Sequence, residues 1–267
     1  MLLTIDAGNT RTKWAVFNRN GEITHNGVCA NDQLAGIDLS PRTLGYERVI
    51  ISNVAGKVHA SRLEKLLASH HQPVLCVTAS PEACNVINGY AEPETLGTDR
   101  WAALIAAWHS KHTACVVVNA GTAVTVDALH GASGSKQQGE FLGGMILPGI
   151  RLMQASLGVG TAQLPLKNAI RESAENTPVN IFAKSTAQAM DAGALNAITG
   201  AVERMAAALE AQCWQTPFII LSGGDADVIQ HHLTDRVTNP TVIIDNLVLN
   251  GLYLLDYFNQ TEQPPQQ

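Results

Sequence analysis

The chain has 267 residues, 46% of them hydrophobic, which is enough to bury one large core or two smaller ones. Its net charge of −6 and its scattered basic residues leave no electrostatic footprint for nucleic acid, so we expect no such partner. No apolar stretch reaches the length of a membrane span, and a predicted strand begins at Leu2 with no signal core, so we expect no membrane association. The five cysteines form no Cys-x-x-Cys pair, a usage typical of reduced thiols in a cytoplasmic protein.

The first predicted element is a β-hairpin over residues 2–17 with a polar turn. Apolar residues alternate on both sides of this turn, which favours two antiparallel strands. Gly8 permits a close approach of the backbone to a ligand, and backbone N–H groups with Thr and Asn side chains can surround an anion. Asp6, at the end of the first strand, could hold a hydrated Mg²⁺ through one carboxylate. The alternative is an ordinary hairpin with a polar tip.

Alternating strands and helices follow. The pattern predicts a third strand over residues 23–28, further strands over 48–54 and 73–78, and a helix over 57–70. The resulting fold class is α/β, with mixed sheets flanked by helices.

Residues 88–100 are predicted to form a loop that leads into a helix beginning at Trp101. Asp99 is placed at the N-cap of this helix, where the helix dipole favours an ionised and weakly basic carboxylate. Capping alone would explain Asp99. It does not explain the length of the loop, or the presence of Tyr90 and Arg100 in the same segment.

The second half of the chain opens on an echo of the first hairpin, over residues 116–129. The alignment pairs Asp6 with Asn119, Ala7 with Ala120, Gly8 with Gly121 and Thr12 with Thr125. A repeated strand–turn–strand unit predicts two related domains facing each other across a cleft, which we place at residues 1–112 and 113–267. Two phosphate-binding turns facing one cleft would suit a nucleoside triphosphate.

The remaining elements complete the second domain. We predict a long Ala-rich helix over residues 185–209, in which Gly193 and Gly200 allow close helix packing. Strands are predicted over 218–221, ending in a Gly-rich turn, and over 241–244, and a last helix over 247–258.

Four motifs in this order resemble those of the type III pantothenate kinases. They are Asp6-x-Gly-Asn-Thr-x-x-Lys13, Gly97-Thr98-Asp99-Arg100-Trp101, Gly121-Thr122-Ala123-x-Thr125-x-Asp127 and Gly143-Gly144-x-Ile146-x-Pro148-Gly149. The resemblance runs from Met1 to about Tyr253. Because that family belongs to the actin-like ATPase superfamily, the resemblance implies two duplicated, ribonuclease H-like domains with ATP in the cleft between them.

The activity that this resemblance implies is transfer of the γ-phosphoryl group of ATP, with Mg²⁺, to pantothenate. The product is 4'-phosphopantothenate, in the first step of coenzyme A synthesis, and Asp99 is the implied proton acceptor. The residues implied to bind ATP are Asp6, Ala7, Gly8, Asn9, Thr10, Arg11, Thr12, Lys13, Thr122, Gly223 and Gly224. Those implied to bind pantothenate are Tyr90, Gly97, Thr98, Asp99, Arg100 and, across a homodimer interface, Thr186.

One position departs from the pattern of the family. The family often has Asp where this chain has Asn119, and that Asp binds a monovalent cation. Since Asn offers only a neutral carbonyl, the resemblance implies a weaker K⁺ or NH₄⁺ site at Asn119.

Two alternative functions are compatible with the same superfamily. One is a non-catalytic member that acts as a transcription-accessory factor, and the other is an actin-like kinase for sugars or acetate. The presence of Asp6, Asp99, Arg100 and Thr122 argues against an inactive site. The segment from Tyr90 to Arg100 favours pantothenate over the other acceptors.

Overall fold

The computed structural model describes residues 1–132, 137–160, 181–233 and 237–262. Contacts within the chain divide it into two compact units, one formed by Met1–Ser110 with Asn246–Gln267 and the other by Lys111–Asp245. The boundary predicted after residue 112 lies close to this division. The C-terminal helix differs from the sequence-based assignment, because it packs within the first unit, on that unit's sheet.

The elements follow the predicted α/β pattern. The strands are β1 Leu2–Ala7, β2 Arg11–Phe17, β3 Ile23–Ala30, β4 Arg48–Asn53, β5 Val74–Cys76, β6 Glu82–Ala83, β7 Val86–Asn88, β8 Cys115–Ala120, β9 Ala123–Gly131, β10 Gly139–Pro148, β11 Phe218–Ser222 and β12 Thr241–Ile243. The helices are α1 Pro41–Leu44, α2 Lys57–Ala68, α3 Thr98–Lys111, α4 Ile150–Gly160, α5 Thr186–Cys213, α6 Ala226–Leu233 and α7 Leu247–Glu262. Short 3₁₀ turns cover Leu34–Gly36 and Pro93–Thr95.

The first unit is built on a mixed sheet with strand order β3-β2-β1-β4-β5. The predicted hairpin is confirmed: β1 and β2 pair antiparallel, β3 pairs antiparallel to β2, and β4 and β5 run parallel to β1. The central strand β1 is buried over nearly its whole length, because α7 and other elements cover the faces of the sheet. This burial explains the unbroken apolar run at its start.

The segment predicted as a loop over residues 88–100 is only partly irregular. It contains the end of β7 and a 3₁₀ turn, and α3 begins at Thr98, earlier than the predicted Trp101. Gly97 O accepts a hydrogen bond from Trp101 N at 2.9 Å, which places Gly97 at the cap position. Asp99 therefore lies inside the first turn of α3, and the prediction that it is the N-cap is wrong. An acidic residue is equally well suited to the first turn, so the sequence did not distinguish the two positions.

The second unit repeats the architecture of the first. Its strands lie in the order β10-β9-β8-β11-β12. Again the first three strands in chain order pair antiparallel, and the next two run parallel to the first. Strand order and direction thus match those of the first unit strand by strand. The duplication that the sequence echo predicted is confirmed by this topology.

The core of the second unit lies between its sheet and α5. Helix α5 contributes a buried stripe of Leu195, Ile198, Val202, Ala206 and Leu209, which has helical spacing. The prediction that Gly193 and Gly200 allow close packing of this helix is not met within the described part of the chain, where a Cβ at either glycine would meet nothing within 4 Å. Within the described ranges, the helices are all too short or too polar to cross a membrane.

Candidate functional site

Three polar residues lie side by side where the central strands of the first unit end. Asp6 pairs with Lys13 on the antiparallel neighbour β2 and with Ser52 on the parallel neighbour β4. Directly paired residues project from the same face of a sheet, so Asp6 lies between an ammonium and a hydroxyl group. Ser52 Oγ is 2.8 Å from Thr98 Oγ1, which ties this row to the first residue of α3.

The carboxylate of Asp99 is held at the start of α3 by its own backbone surroundings. Oδ1 accepts a hydrogen bond from Arg100 N at 2.8 Å. A Cβ at Gly97 would lie 2.7 Å from the same oxygen, closer than real Cβ atoms come. A side chain at position 97 would therefore require the Asp99 carboxylate to shift from this position.

Burial raises the pKa of both carboxyl groups, Asp6 and Asp99. Burial raises the pKa of Asp99, and this effect outweighs the hydrogen bond and the charge of Arg100, which lower it. The expectation that the helix dipole makes Asp99 a weak base is therefore wrong in direction. Burial raises the pKa of Asp6 to about 7, with a further increase from the charge of Asp99 and a smaller opposing effect of Lys13. The ionised form of Asp6 is therefore destabilised in the folded protein when no cation is bound.

We expect Asp6→Asn to stabilise the metal-free protein at pH 8 and to have a much smaller effect near pH 4. Because the pKa of Asp6 is raised from 3.8 to about 7 on folding, the free energy of unfolding falls as pH rises between these values and then levels off. Asn removes this cost. Because Asp6 is half-buried, solvent screens its charge, and we expect the cost to be reduced to roughly 1–3 kcal/mol at pH 8. Urea unfolding in EDTA at the two pH values measures the difference.

The matched control is Asp38→Asn. Hydrogen bonds from Thr43 and Ser40 lower the pKa of Asp38, so the same substitution there should lower stability at pH 8. A stability gain at Asp6 that is independent of pH would contradict the assignment of the effect to ionisation.

The loop before α3 is held in place by Asn88, a residue that the sequence analysis missed. Arg100 is buried, its Nη1 donates to Tyr90 Oη at 2.9 Å, and its guanidinium carbon lies 5.6 Å from the centre of the Tyr90 ring. Tyr90 N donates to Asn88 Oδ1 at 3.1 Å, and Asn88 Nδ2 donates to the carbonyls of Ser80 and Pro93 at 3.2 and 3.0 Å. The Asn88-Gly dipeptide, a turn signature, was the available signal. Asn88 thus fixes the segment that presents Tyr90 and Arg100.

The turn between β1 and β2 divides the predicted ATP-binding residues into two groups. Asn9, Thr10 and Arg11 are exposed, while Asp6, Gly8 and Lys13 are half-buried. Ala7 and Thr12 are fully buried. Thr12 Oγ1 donates to Asn31 Oδ1 at 2.9 Å and lies 2.8 Å from His59 Nε2, so this hydroxyl is used inside the unit. Sequence analysis missed Asn31 and His59, which carry no local motif.

The corresponding turn of the second unit is shorter by one residue. In the first unit Ala7 and Thr12 form the last pair of the hairpin, whereas in the second Ala120 pairs with Val124. The sequence alignment of Thr12 with Thr125 is therefore wrong by one position, because a gapless alignment cannot detect a shorter turn. Thr125 stands where the first unit has Lys13.

Because the second turn is one residue shorter, the row of paired residues around Asn119 is neutral, whereas the row around Asp6 is charged. Asn119 pairs with Thr125 on one side and with Ser222 on the other, as Asp6 pairs with Lys13 and Ser52. Thr125 Oγ1 is buried and has no hydrogen-bond partner in the described part of the chain. A row of neutral side-chain oxygens with one unpaired hydroxyl can accept a weakly hydrated cation.

Glycines of the second unit pack directly against its turn. A Cβ at Gly149 would lie 2.1 Å from Gly121 O, and Gly149 N donates to Thr122 O at 2.8 Å. Gly223 has φ +102°, and a Cβ there would lie 2.3 Å from Ala120 O. By contrast, a Cβ at Gly224 would meet no described residue within 4 Å. Thr122 and Thr186, the first residue of α5, are both exposed.

A divalent metal would find few protein ligands here. Within the described ranges, no three His, Cys, Asp or Glu side chains are placed to hold a metal ion together. The single carboxylate of Asp6 fits a Mg²⁺ that keeps most of its water and binds phosphate, as this ion prefers. A separate apolar pocket of about 210 Å³ lies beside α2 and the edge strand β5, and none of the predicted site residues lines it.

Comparisons with known proteins agree with the motifs. The family model for type III pantothenate kinase matches residues 2–208. The chain is 41% identical over 257 residues to the type III pantothenate kinase of Methylobacillus flagellatus, covering 96% of this chain and 97% of that protein. It is also 41% identical over 253 residues to that of Nitrosospira multiformis, covering 94% and 89%. The solved structure of the Lmo2764 protein from Listeria monocytogenes shares the fold at 16% identity, with a TM-score of 0.51 over 98% of this chain and 99% of that one.

Proposed function

The chain belongs to the type III pantothenate kinase family, and on this premise we propose that it transfers the γ-phosphoryl group of ATP to pantothenate. The product is 4'-phosphopantothenate, and the reaction is the first step of coenzyme A synthesis. The observation that carries this proposal for the site is the position of Asp99. Its carboxylate is fixed above Gly97, in the turn of α3 that is bonded to the row of Asp6, Lys13 and Ser52.

Asp99 is the proposed proton acceptor. The primary hydroxyl of pantothenate attacks the γ-phosphorus, the bond from that phosphorus to the bridging oxygen of ADP breaks, and the hydroxyl proton passes to an Asp99 oxygen. Since the transition state of phosphoryl transfer is loose, the main task of the carboxylate is to orient the hydroxyl. Burial raises the pKa of Asp99, which increases its affinity for the proton once transfer is under way.

The row around Asp6 is the proposed site for the metal-bound phosphates. When bound, Mg²⁺ neutralises charge on the phosphate groups, and Asp6 would hold it through water. Lys13 adds a second positive charge on the adjacent strand. The exposed turn residues Asn9, Thr10 and Arg11 would contact ATP directly. From the second unit, the proposed contacts to ATP are Thr122, Gly223 and Gly224.

The segment before α3 is the proposed binding site of pantothenate. Arg100 can pair with its carboxylate, since guanidinium groups suit planar anions, and Tyr90 keeps the guanidinium in place by a hydrogen bond and a ring contact. Gly97 and Thr98 lie at the start of α3, beside the hydroxyl that reacts. Thr186 would contribute from the partner of a homodimer.

A homodimer in the cytoplasm is the proposed state of the protein. Apolar side chains of the second unit are exposed, including Phe182, which precedes α5, with 76% and Ile146 on β10 with 66% of their surface in solvent. Burial of such side chains at an interface would be favourable. None of the five cysteines, all of which lie in the described ranges, forms a disulfide, which is typical of a protein in a reducing compartment. Sedimentation velocity on the purified protein tests the dimer, and a monomer at micromolar concentration would reject it.

The test of the activity is a coupled assay of ADP release from Mg·ATP, with and without pantothenate. Pantothenate-dependent turnover supports the proposal. A folded protein without turnover under any cation condition would reject it. No observation favours the transcription-accessory alternative, and the likeness to the Listeria monocytogenes structure, at 16% identity, supports the fold alone.

We propose that Asn119, Thr125 and Ser222 form a weak site for K⁺ or NH₄⁺. The buried and unpaired Thr125 hydroxyl supports this placement. Asn119→Asp should lower the K⁺ concentration needed for half-maximal activity, because the added carboxylate attracts the cation; a gain of about 1.4 kcal/mol would lower it tenfold. A K⁺ titration of activity at constant ionic strength, balanced with choline chloride, measures the change. An unchanged K⁺ dependence would show that Asn119 does not bind the cation.

A further inference from the structure

A line of hydrogen bonds runs from helix α2 to the turn between β1 and β2. His59 Nε2 lies 2.8 Å from Thr12 Oγ1, and Thr12 Oγ1 lies 2.9 Å from Asn31 Oδ1. Asn31 Nδ2 in turn lies 2.8 Å from Gly8 O. His59 and Thr12 are both buried, with 4% and 0% of their surfaces exposed. The line therefore connects the interior of the unit to a carbonyl of the proposed phosphate-binding turn.

Only one arrangement of protons allows every hydrogen bond of this line to form. Gly8 O can only accept, so the Asn31 atom facing it is the amide nitrogen, and Asn31 Oδ1 faces Thr12. Thr12 must then donate its single hydroxyl proton to Oδ1. The remaining contact requires His59 to donate from Nε2–H to Thr12 Oγ1. Burial lowers the pKa of His59, which agrees with a neutral ring carrying its proton on that nitrogen.

Asn31 holds two carbonyls of the turn from the same side. Its side chain binds Gly8 O, and its backbone N–H donates to Thr10 O at 3.2 Å. The carbonyl and N–H of a trans peptide point in opposite directions. Fixing Gly8 O towards Asn31 therefore turns the N–H of Asn9 away from Asn31, to the other side of the turn. A backbone N–H held in that direction is available to an anion.

We propose that Asn31, Thr12 and His59 are positioning residues that hold the Gly8–Asn9 peptide in the orientation needed to bind a phosphate group of ATP. The proposal rests on the proposed function in one respect, that this turn binds ATP. The three residues contact no substrate themselves. They act through the peptide, so their loss should weaken nucleotide binding and leave the affinity for the acceptor unchanged.

The first test compares Asn31→Asp with Asn31→Ala. The Asp carboxylate still accepts from Thr12 but cannot donate to Gly8 O, so both variants lose the last hydrogen bond. We expect the KM for ATP to rise about tenfold in each, the scale of one lost hydrogen bond, with the KM for pantothenate unchanged. Asn26→Ala, on the exposed part of β3, the strand that ends just before Asn31, is the matched control and should match the wild type.

A purely structural role gives a different result. General loosening of the unit would lower the melting temperature and raise both KM values together, and that outcome would overturn the proposal. So would an Asn31→Asp variant with the KM for ATP of the wild type.

The second test removes the first donor of the line. His59→Gln retains an N–H near the position of Nε2, whereas His59→Leu has none. We expect His59→Gln to keep the KM for ATP near that of the wild type and His59→Leu to raise it. Equal effects of the two substitutions would exclude the donated hydrogen bond as the cause.

Calorimetry with Mg·ADP in the absence of pantothenate separates the two proposals. If the wild type binds Mg·ADP but does not phosphorylate pantothenate, the proposed function is wrong. The comparison of Asn31→Asp with the wild type then still decides the positioning role. Weaker Mg·ADP binding by the variant supports it, and equal binding overturns it.

Discussion

Asp99→Asn should lower kcat by roughly 10²–10⁴-fold while leaving the protein folded. Asn can still accept the hydrogen bond from Arg100 N, so the first turn of α3 keeps its geometry. It cannot take the proton of the attacking hydroxyl. Removing the buried carboxylate also removes an electrostatic cost, because burial raises the pKa of Asp99. We therefore expect the melting temperature of the variant to stay the same or to rise, in contrast to its activity.

Asp227→Asn is the matched control for this experiment. Asp227 also lies in the first turn of a helix, α6, and its side chain is exposed. Both substitutions remove an acidic group from a helix N-terminus, but only one removes the proposed proton acceptor. Steady-state kinetics and thermal unfolding of both variants separate the roles. Near-normal turnover of a folded Asp99→Asn protein would rule out Asp99 as the acceptor.

Gly251→Ala should strongly destabilise the first unit and also lower kcat. A Cβ at this position of α7 would lie 1.8 Å from Ala102 O, so the two helices cannot stay as close as they are. Because the atom in the way is backbone, we expect a loss of about 3 kcal/mol, at the upper end of the typical cost of overpacking. Ala102 lies one turn after Asp99 in α3, so the same displacement moves the proposed acceptor. A shift of about 1 Å can cost 10²-fold in rate.

Gly200→Ala provides the comparison. Gly200 also lies inside a long helix, but among the residues that the structure describes, none would come within 4 Å of a Cβ there. Without a steric cost, the same substitution should stabilise the protein by roughly 0.5–1 kcal/mol through the lower entropy of the unfolded chain. Urea unfolding measures both effects. If Gly251→Ala were as well tolerated as Gly200→Ala, the contact between α3 and α7 would not constrain the site.

Local sequence patterns were enough to predict most of the strands and helices and the family. Alternation around Gly8 predicted the hairpin, apolar spacing predicted α2 and α5, and four ordered motifs identified the kinase family before any contact was known. These features are local, because a turn, a helical stripe and a motif depend on residues within a short stretch of chain. The echo between the two hairpins also predicted the duplication, although not the shorter second turn.

The residues that support the candidate site become visible only in the folded chain. Asn31 and His59 lie far along the chain from Gly8, and neither stands in a motif, yet both are bonded into the line that ends at Gly8 O. The same holds for the C-terminal helix, which packs on α3 through Gly251 although it follows the whole second unit in the chain. The raised pKa of Asp99 has the same origin, since desolvation depends on all the atoms that surround a group and not on its neighbours in sequence.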